Sequence, residues 1–351
     1  MPHPLTYLLL PLLLFSCSQK PKSESEAVAT KPKAQLSVRN AHSMAWNSND
    51  GRVYLFGGAN EKQVLADLWV YEKGSWQSLE VEPGPQPRTF AAFTYDPSND
   101  WFILFGGSKV LFGSAANANN MLNDTWQLKN GKWEQIETTN APTPRAEAVA
   151  VYNPKSERTV LFGGYTIQGD QYIKLGDTWE FYDNDWHLAS ESGPSERHGV
   201  AMAYDPQQQA VVLFGGSTVD KQYGESQGET WVWGNGAWQK LDIEQPPGVF
   251  NAAMVYDLKN RELIRFGGWN GETRIDETWV FQDGGWKMLE LETRPAARNH
   301  ATMVYDRKRQ VAVLFGGHDG KRVFGDIWEY ADGKWVQVSE VEPLERVRNG
   351  H

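Results

Sequence analysis

The sequence predicts an all-β protein, a six-bladed β-propeller with four antiparallel strands in each blade. Three observations carry that expectation. Phe-Gly-Gly occurs six times, with its aromatic residue at Phe56, Phe105, Phe162, Phe214, Phe266 and Phe315, at spacings of 49, 57, 52, 52 and 49 residues. Each copy is followed by two Trp residues seven positions apart: Trp69/Trp76, Trp126/Trp133, Trp179/Trp186, Trp231/Trp238, Trp279/Trp286 and Trp328/Trp335. An aromatic residue stands ten before every one of these Phe residues (Trp46, Tyr95, Tyr152, Tyr204, Tyr256 and Tyr305), followed each time by an Asn or Asp suited to a turn. A period near ~50 residues matches four short strands and their turns.

The chain begins with a targeting segment. Leu8 to Phe15 is an apolar run interrupted only by Pro11, of signal-peptide rather than membrane-spanning length. It leads into Leu14-Phe15-Ser16-Cys17, which resembles a bacterial lipobox with an aliphatic residue at −3, a small one at −1, and then the Cys. Residues 1–16 are therefore expected to be removed and Cys17 lipidated, which places the protein in a bacterial cell envelope, anchored to the outer membrane. Cys17 is the only cysteine among 351 residues, so disulfides and Cys-based metal sites are not expected. Residues 17–38, mostly Ser, Lys, Pro, Glu and Ala, have too little apolar content to order themselves and read as a flexible tether. The propeller is assigned to 39–351.

One repeat shows how a blade is built. In the second, Thr89 to Tyr95 is rich in small residues and ends at the Asp96-Pro97 turn. Trp101 to Phe105 is an apolar strand closed by Gly106-Gly107, Asp124 to Leu128 is a third strand, and Asn130-Gly131 is a hairpin signal before Trp133 to Ile136. The Ala-rich first strand suits the crowded axis. The paired Trp residues suit the wider gaps between blades, where large apolar area stabilises most.

Apolar residues running into Gly-Gly, an acid-Thr-Trp strand, and a second Trp after a Gly/Asn turn together resemble the Kelch repeat. They resemble in particular bacterial Kelch lipoproteins related to the galactose oxidase central domain, over residues 39 to about 340. The resemblance implies a propeller. The oxidase chemistry of that family uses a Cys cross-linked to a Tyr, and Cys17 lies outside the propeller, so no copper site or other cofactor is expected.

In such a blade the start of strand one and the end of strand two share one edge, and two features meet there. An Arg stands seventeen before the Phe in five repeats (Arg39, Arg88, Arg145, Arg197, Arg298), with Val249 in the fifth repeat. The segment after Gly-Gly has eight residues in repeats one, five and six, sixteen in repeat two (108–123), and twelve in repeats three and four. Insertions confined to one face mark the binding face of a repeat protein. An arginine ring there would suit an anionic ligand. The acids two residues before each first Trp (Asp67, Asp124, Asp177, Glu229, Glu277, Asp326) would instead neutralise it in a structural role. Tyr165, Trp269 and His318 immediately follow Gly-Gly and complete the expected ligand-binding rim. His42, His300 and His318, with His351 ending the chain, could in principle approach one Zn²⁺, but their spacing matches no metal signature.

A net charge of −10 argues against nucleic acid as a partner. No nucleophile elbow, phosphate loop or zinc-protease motif occurs. The first reading is a monomeric, non-enzymatic module binding protein or glycan. The second is an envelope enzyme on acidic sugars, similar to Kelch-type sialic acid mutarotases, with the arginines as carboxylate clamps and Glu147, His198 or His300 moving protons.

Overall fold

The computed structural model describes residues 1, 35–72, 74–111, 117–169, 171–218 and 226–340. The chain divides into two units, Met1–Lys33 and Ala34–His351. Cys17 and the Arg348-Asn349-Gly350-His351 tail lie outside the described residues, as do 112–116 of the long loop in repeat two.

The second unit holds six four-stranded antiparallel sheets, each drawn from one contiguous repeat. Blade one comprises β1 (Ser43–Asn47), β2 (Arg52–Phe56), β3 (Leu68–Glu72) and β4 (Ser75–Leu79). Blade two comprises β5 (Ala92–Asp96), β6 (Trp101–Ser108), β7 (Met121–Lys129) and β8 (Lys132–Ile136). Blade three runs from β9 (Val149–Asn153) and β10 (Arg158–Phe162), through an inserted hairpin of β11 (Tyr165–Gln168) and β12 (Gln171–Lys174), to β13 (Thr178–Tyr182) and β14 (Asp185–Ser190). Blade four is β15 to β18 (Ala201–Asp205, Ala210–Phe214, Thr230–Gly234, Ala237–Lys240). Blade five is β19 to β22 (Ala253–Asp257, Glu262–Phe266, Thr278–Gln282, Gly285–Leu289). Blade six is β23 to β26 (Thr302–Asp306, Val311–Phe315, Asp326–Ala331, Lys334–Glu340). The all-β, six-bladed expectation is met. In blade two the middle strands are longer than expected, because pairing resumes past an irregularity at Phe105/Gly107 and carries Gly107↔Leu122 and Ser108↔Met121.

The second Trp of each pair lies in the gap to the preceding blade. Trp133, Trp186, Trp238, Trp286 and Trp335 each meet the Phe-Gly-Gly aromatic one repeat earlier, and Trp76 meets Phe315 across the closure, with ring centroids 4.9–5.4 Å apart. Edge-to-face and tilted rings of this kind add to their area burial. In four of the six gaps the indole N–H also donates to a threonine of the preceding blade, namely Thr125, Thr178, Thr230 and Thr278. Trp76 meets Ile327 at that register instead of a hydroxyl, and its Nε1 has no hydrogen-bond partner among the described residues.

The boundary of the propeller lies earlier than expected. Leu36, Ser37 and Val38 are buried, and Leu36 packs with Met44, Val53 and Phe315, so the expected tether over 17–38 ends before its last residues. No helix among the described residues is long and apolar enough to cross a membrane.

Candidate functional site

The five arginines do not line an open mouth. Each guanidinium is enclosed, at 0 or 1% exposure. Arg88 is representative: Nη1 donates to Gly106 O and Asp124 Oδ1, Nη2 to Asp124 Oδ2, and Nε to Gln86 O. Arg39, Arg145 and Arg298 repeat the pattern with Asp67, Asp177 and Asp326. Arg197 meets one oxygen of Glu229, whose other oxygen takes Lys240. The ion pairs lie within one repeat rather than between blades. Their backbones, however, belong to the blade before. Arg88 N donates to Leu65 O and Arg88 O accepts from Gly58 N, while Arg39 bonds Phe324 and Gly317 of blade six in the same manner. Each arginine is thus a clasp between neighbouring blades, and Arg39 closes the ring.

Gly57 shows why a glycine is needed here. Its φ is +66°, and a Cβ would stand 2.8 Å from the Arg88 carbonyl oxygen. Burial would raise the Asp124 carboxyl, but the hydrogen bond and charge of Arg88, with the Trp126 N–H, hold it below the usual range. The ligand role expected for the arginines is therefore replaced by a structural one, because every guanidinium edge already has a partner inside the fold.

Two residues after each arginine position the chain reaches the propeller axis. Ala41, Phe90, Glu147, Asn251 and His300 take φ of 54–55° there, and Gly199 takes 65°. That conformation turns each N–H toward the neighbouring blade. Phe90 N donates to Ala41 O, Glu147 to Phe90, Gly199 to Glu147, Asn251 to Gly199, His300 to Asn251, and Ala41 to His300. Six backbone hydrogen bonds form a closed ring about the axis, and the side chains it carries differ in every blade.

Those side chains assemble an asymmetric cluster. Glu147 Oε2 lies 2.6 Å from His198 Nδ1, and its Oε1 lies 3.6 Å from His300 Nε2. Asn251 Nδ2 is 2.6 Å from His300 Nε2, and His300 Nδ1 is 3.0 Å from His318 Nε2, with the two imidazoles stacked 6° from parallel. If Asn251 donates to Nε2, the His300 proton resides on Nδ1 and His318 must accept it. Burial would raise the Glu147 carboxyl, but the charge and hydrogen bond of His198, together with His300, hold it well below the usual carboxylate range. Burial, reinforced by His300 and Arg274, pulls His318 down to about 3.

Around this chain stand Phe90 against His300, and Tyr165 and Phe250 edge-on to His198. Burial, followed by the charge of Glu147, pushes the Tyr165 phenol well above its ordinary value. The structure therefore brings Tyr165 and His318 into one site, although Tyr165 is buried rather than presented at the edge. Trp269 is half-buried beside it, with the Arg274 guanidinium 4.7 Å over its ring. The long loop of repeat two reaches the same place, since Leu111 and Met121 pack with Phe90 and Tyr165. His42 stands apart from the other imidazoles, edge-on to Phe315, and among the described residues no three acidic, His or Cys groups are placed to hold a metal ion.

His318 makes the fold acid-sensitive. Its imidazole protonates near 6.5 in the unfolded chain and about 3 in the fold, so the contribution is complete above about 6.5 and lost as pH falls toward 3. Stability should decline by on the order of 1–2 kcal/mol from this group by pH 5, and His318→Gln should remove that part of the slope. His42, held low by burial and by Arg39, adds a slope of the same sign that the substitution leaves in place. Melting temperatures of both proteins from pH 7 to 5 check this, and parallel curves contradict it.

The fold and mouth define a six-bladed propeller with an asymmetric polar site on its axis. A family model described as the KLHDC2/KLHL20/DRC7 Kelch-repeats domain matches residues 15–188 and 156–351, and the chain belongs to the Kelch-repeat family. Similar proteins include the flagellar outer-arm dynein alpha chain of Chlamydomonas reinhardtii, 26% identical over 246 residues. They also include Mei4-dependent protein 6 of Schizosaccharomyces pombe, 26% identical over 227, and an F-box/kelch-repeat protein of Arabidopsis thaliana, 29% identical over 242. These alignments take in 63, 58 and 63% of this chain but only 5, 31 and 46% of those proteins. A solved structure of YjhT superposes with a TM-score of 0.66 at 16% identity, covering 87% of this chain and 99% of that one, which is a likeness of fold.

Proposed function

We propose that the protein is a Kelch binding module that docks a protein segment or a glycan at the axial mouth. The observation that carries this is the asymmetric cluster of Glu147, His198, Asn251, His300 and His318 on an otherwise repeated ring. A repeated scaffold with one unrepeated polar cluster, walled by aromatic rings, suits directional recognition of a single ligand. The test is to screen the protein against a glycan array and a displayed peptide library, then measure the selected ligand with His318→Gln and Trp269→Ala. Affinity should drop about tenfold or more in each while the melting temperature at pH 7 stays near that of the unaltered protein. Failure of both screens, or a ligand indifferent to both substitutions, overturns the reading.

A second reading, an enzyme on acidic sugars, is favoured by one feature. His198 with Glu147 at 2.6 Å, and His300 with His318 at 3.0 Å, are two neighbouring hydrogen-bonded pairs able to exchange a proton with a substrate. With the clasp arginines committed to the fold, Arg274 beside His318 becomes the cation suited to a sugar carboxylate. Faster interconversion of N-acetylneuraminic acid anomers by NMR, lost in Glu147→Gln, supports it; no acceleration removes it.

The lipobox-like Leu14-Phe15-Ser16-Cys17 supports display of this module from a lipid anchor in a bacterial envelope, at the outer membrane. Cys17→Ser should move the protein from the membrane fraction to the soluble envelope fraction. Unchanged membrane association contradicts the anchor.

A further inference from the structure

A second cavity lies on the axis, at the face opposite the mouth. It measures about 400 Å³, within the range of small-molecule sites, and its walls are the six first strands. Its inner end points toward the backbone ring that separates it from the mouth. It opens among the turns that follow the first strands. Met44, Phe93, Met202, Met254, Val255 and Met303 line it, and thioethers adapt to an irregular or flexible occupant.

Polarity gathers at the lip. The Trp46 Nε1 is buried with no hydrogen-bond partner among the described residues. The Arg307 guanidinium lies 5.4 Å over the same indole, and among the described residues no carboxylate pairs with it. Asp96, Asp205, Asp257 and Asp306 occupy the neighbouring turns, but each accepts from backbone N–H groups of its own turn. An apolar bore with a cation at its lip suits an alkyl chain ending in an anion.

We propose that this bore is a second ligand site that takes an alkyl carboxylate, with the chain along the axis and the carboxylate on the Arg307 guanidinium at its lip. It does not depend on what the opposite mouth binds.

Isothermal titration of the full chain with octanoate, decanoate and dodecanoate, each below its micelle concentration, tests this. Binding should saturate at one site and tighten roughly tenfold for every two methylenes. Decanol and decylamine should bind at least tenfold more weakly than decanoate. Arg307→Gln should abolish the preference for decanoate over decanol, and Thr94→Trp, which adds an indole to a wall position, should weaken all three. Melting curves identify folded variants, and Arg307→Gln, at an exposed position, keeps the test open should Thr94→Trp not fold. The proposal is overturned by an absence of saturable binding, by decanol or decylamine binding as tightly as decanoate, or by a preference that survives Arg307→Gln. It is equally overturned if His318→Gln, on the other face, weakens decanoate.

Discussion

Arg88→Ala is expected to lower stability by about 3–5 kcal/mol and the melting temperature by roughly 10 °C, without a specific effect on ligand affinity per folded molecule. The substitution leaves Asp124 largely buried without its cation, since the pair stands at 0 and 19% exposure, and it strands the Gly106 carbonyl oxygen. It also removes the tie between blade one, which holds the Arg88 backbone through Leu65 and Gly58, and blade two, which holds its side chain. Arg88→Lys should recover only part of the loss, because a point ammonium cannot serve both carboxylate oxygens and the carbonyl in one plane. The double variant Arg88→Ala/Asp124→Ala should be less damaging than the two single losses summed, since no orphan charge remains. Chemical denaturation combined with titration of the screened ligand separates stability from binding. Unchanged stability with lost affinity would return the arginines to the ligand-binding role that their ring at one edge first suggested.

That role shows where the sequence stops being informative. The spacing of Arg39 and its counterparts correctly puts five guanidinium groups at one edge, and the acids before Trp69 and its counterparts at the same edge. Whether such a pair opens to a ligand or closes a blade depends on burial, and spacing carries no burial. The blades were legible because Phe-Gly-Gly and the Trp pairs are packing signals repeated six times, each naming its own partner one repeat away. The axial ring was not legible. It needs a left-handed backbone at Ala41, Phe90, Glu147, Asn251 and His300 as well as at Gly199, and of the six only Gly199, and more weakly Asn251, declare that conformation in their residue type. Glu147 and His198 could be suspected as proton carriers, yet their junction with His300, from three different blades, exists only once the ring is closed. The hairpin β11/β12 likewise came from twelve residues that length alone marked as an insertion. The propeller's first residues were missed because Leu36 and Val38 follow a Lys- and Pro-rich stretch, and composition averages conceal two buried side chains.

Arg265→Leu should stabilise the protein by about 2–4 kcal/mol, a rare direction for a core substitution. The other five repeats carry Leu at this position (Leu55, Leu104, Leu161, Leu213 and Leu314), all fully buried. Arg265 is equally buried, and among the described residues none of its three guanidinium nitrogens has a hydrogen-bond partner. It lies 4.8 Å over the Phe214 ring and 5.6 Å over Trp279, contacts that compensate only part of the desolvation of an ion. The repeat that holds this arginine is the one with Val249 in place of the clasp, so the fifth repeat has its cation in the core and, among the described residues, none paired to Glu277. Glu277 still draws on Arg265 through space, but burial dominates and pulls the guanidinium down to about 9. Below about 9 the group is charged in both states and its penalty is complete; above about 9 the folded chain loses the proton first and the unfolded chain holds more, so stability recovers as pH rises. The advantage of Arg265→Leu should therefore be constant at neutral pH and shrink above about 9. Val249→Arg/Arg265→Leu moves the cation back to the clasp position facing Glu277 and should exceed the single variant. Denaturation midpoints of the three proteins at pH 7 and 10 decide the matter. A fall in stability for Arg265→Leu would show that stacking on Phe214 and Trp279 outweighs the buried charge.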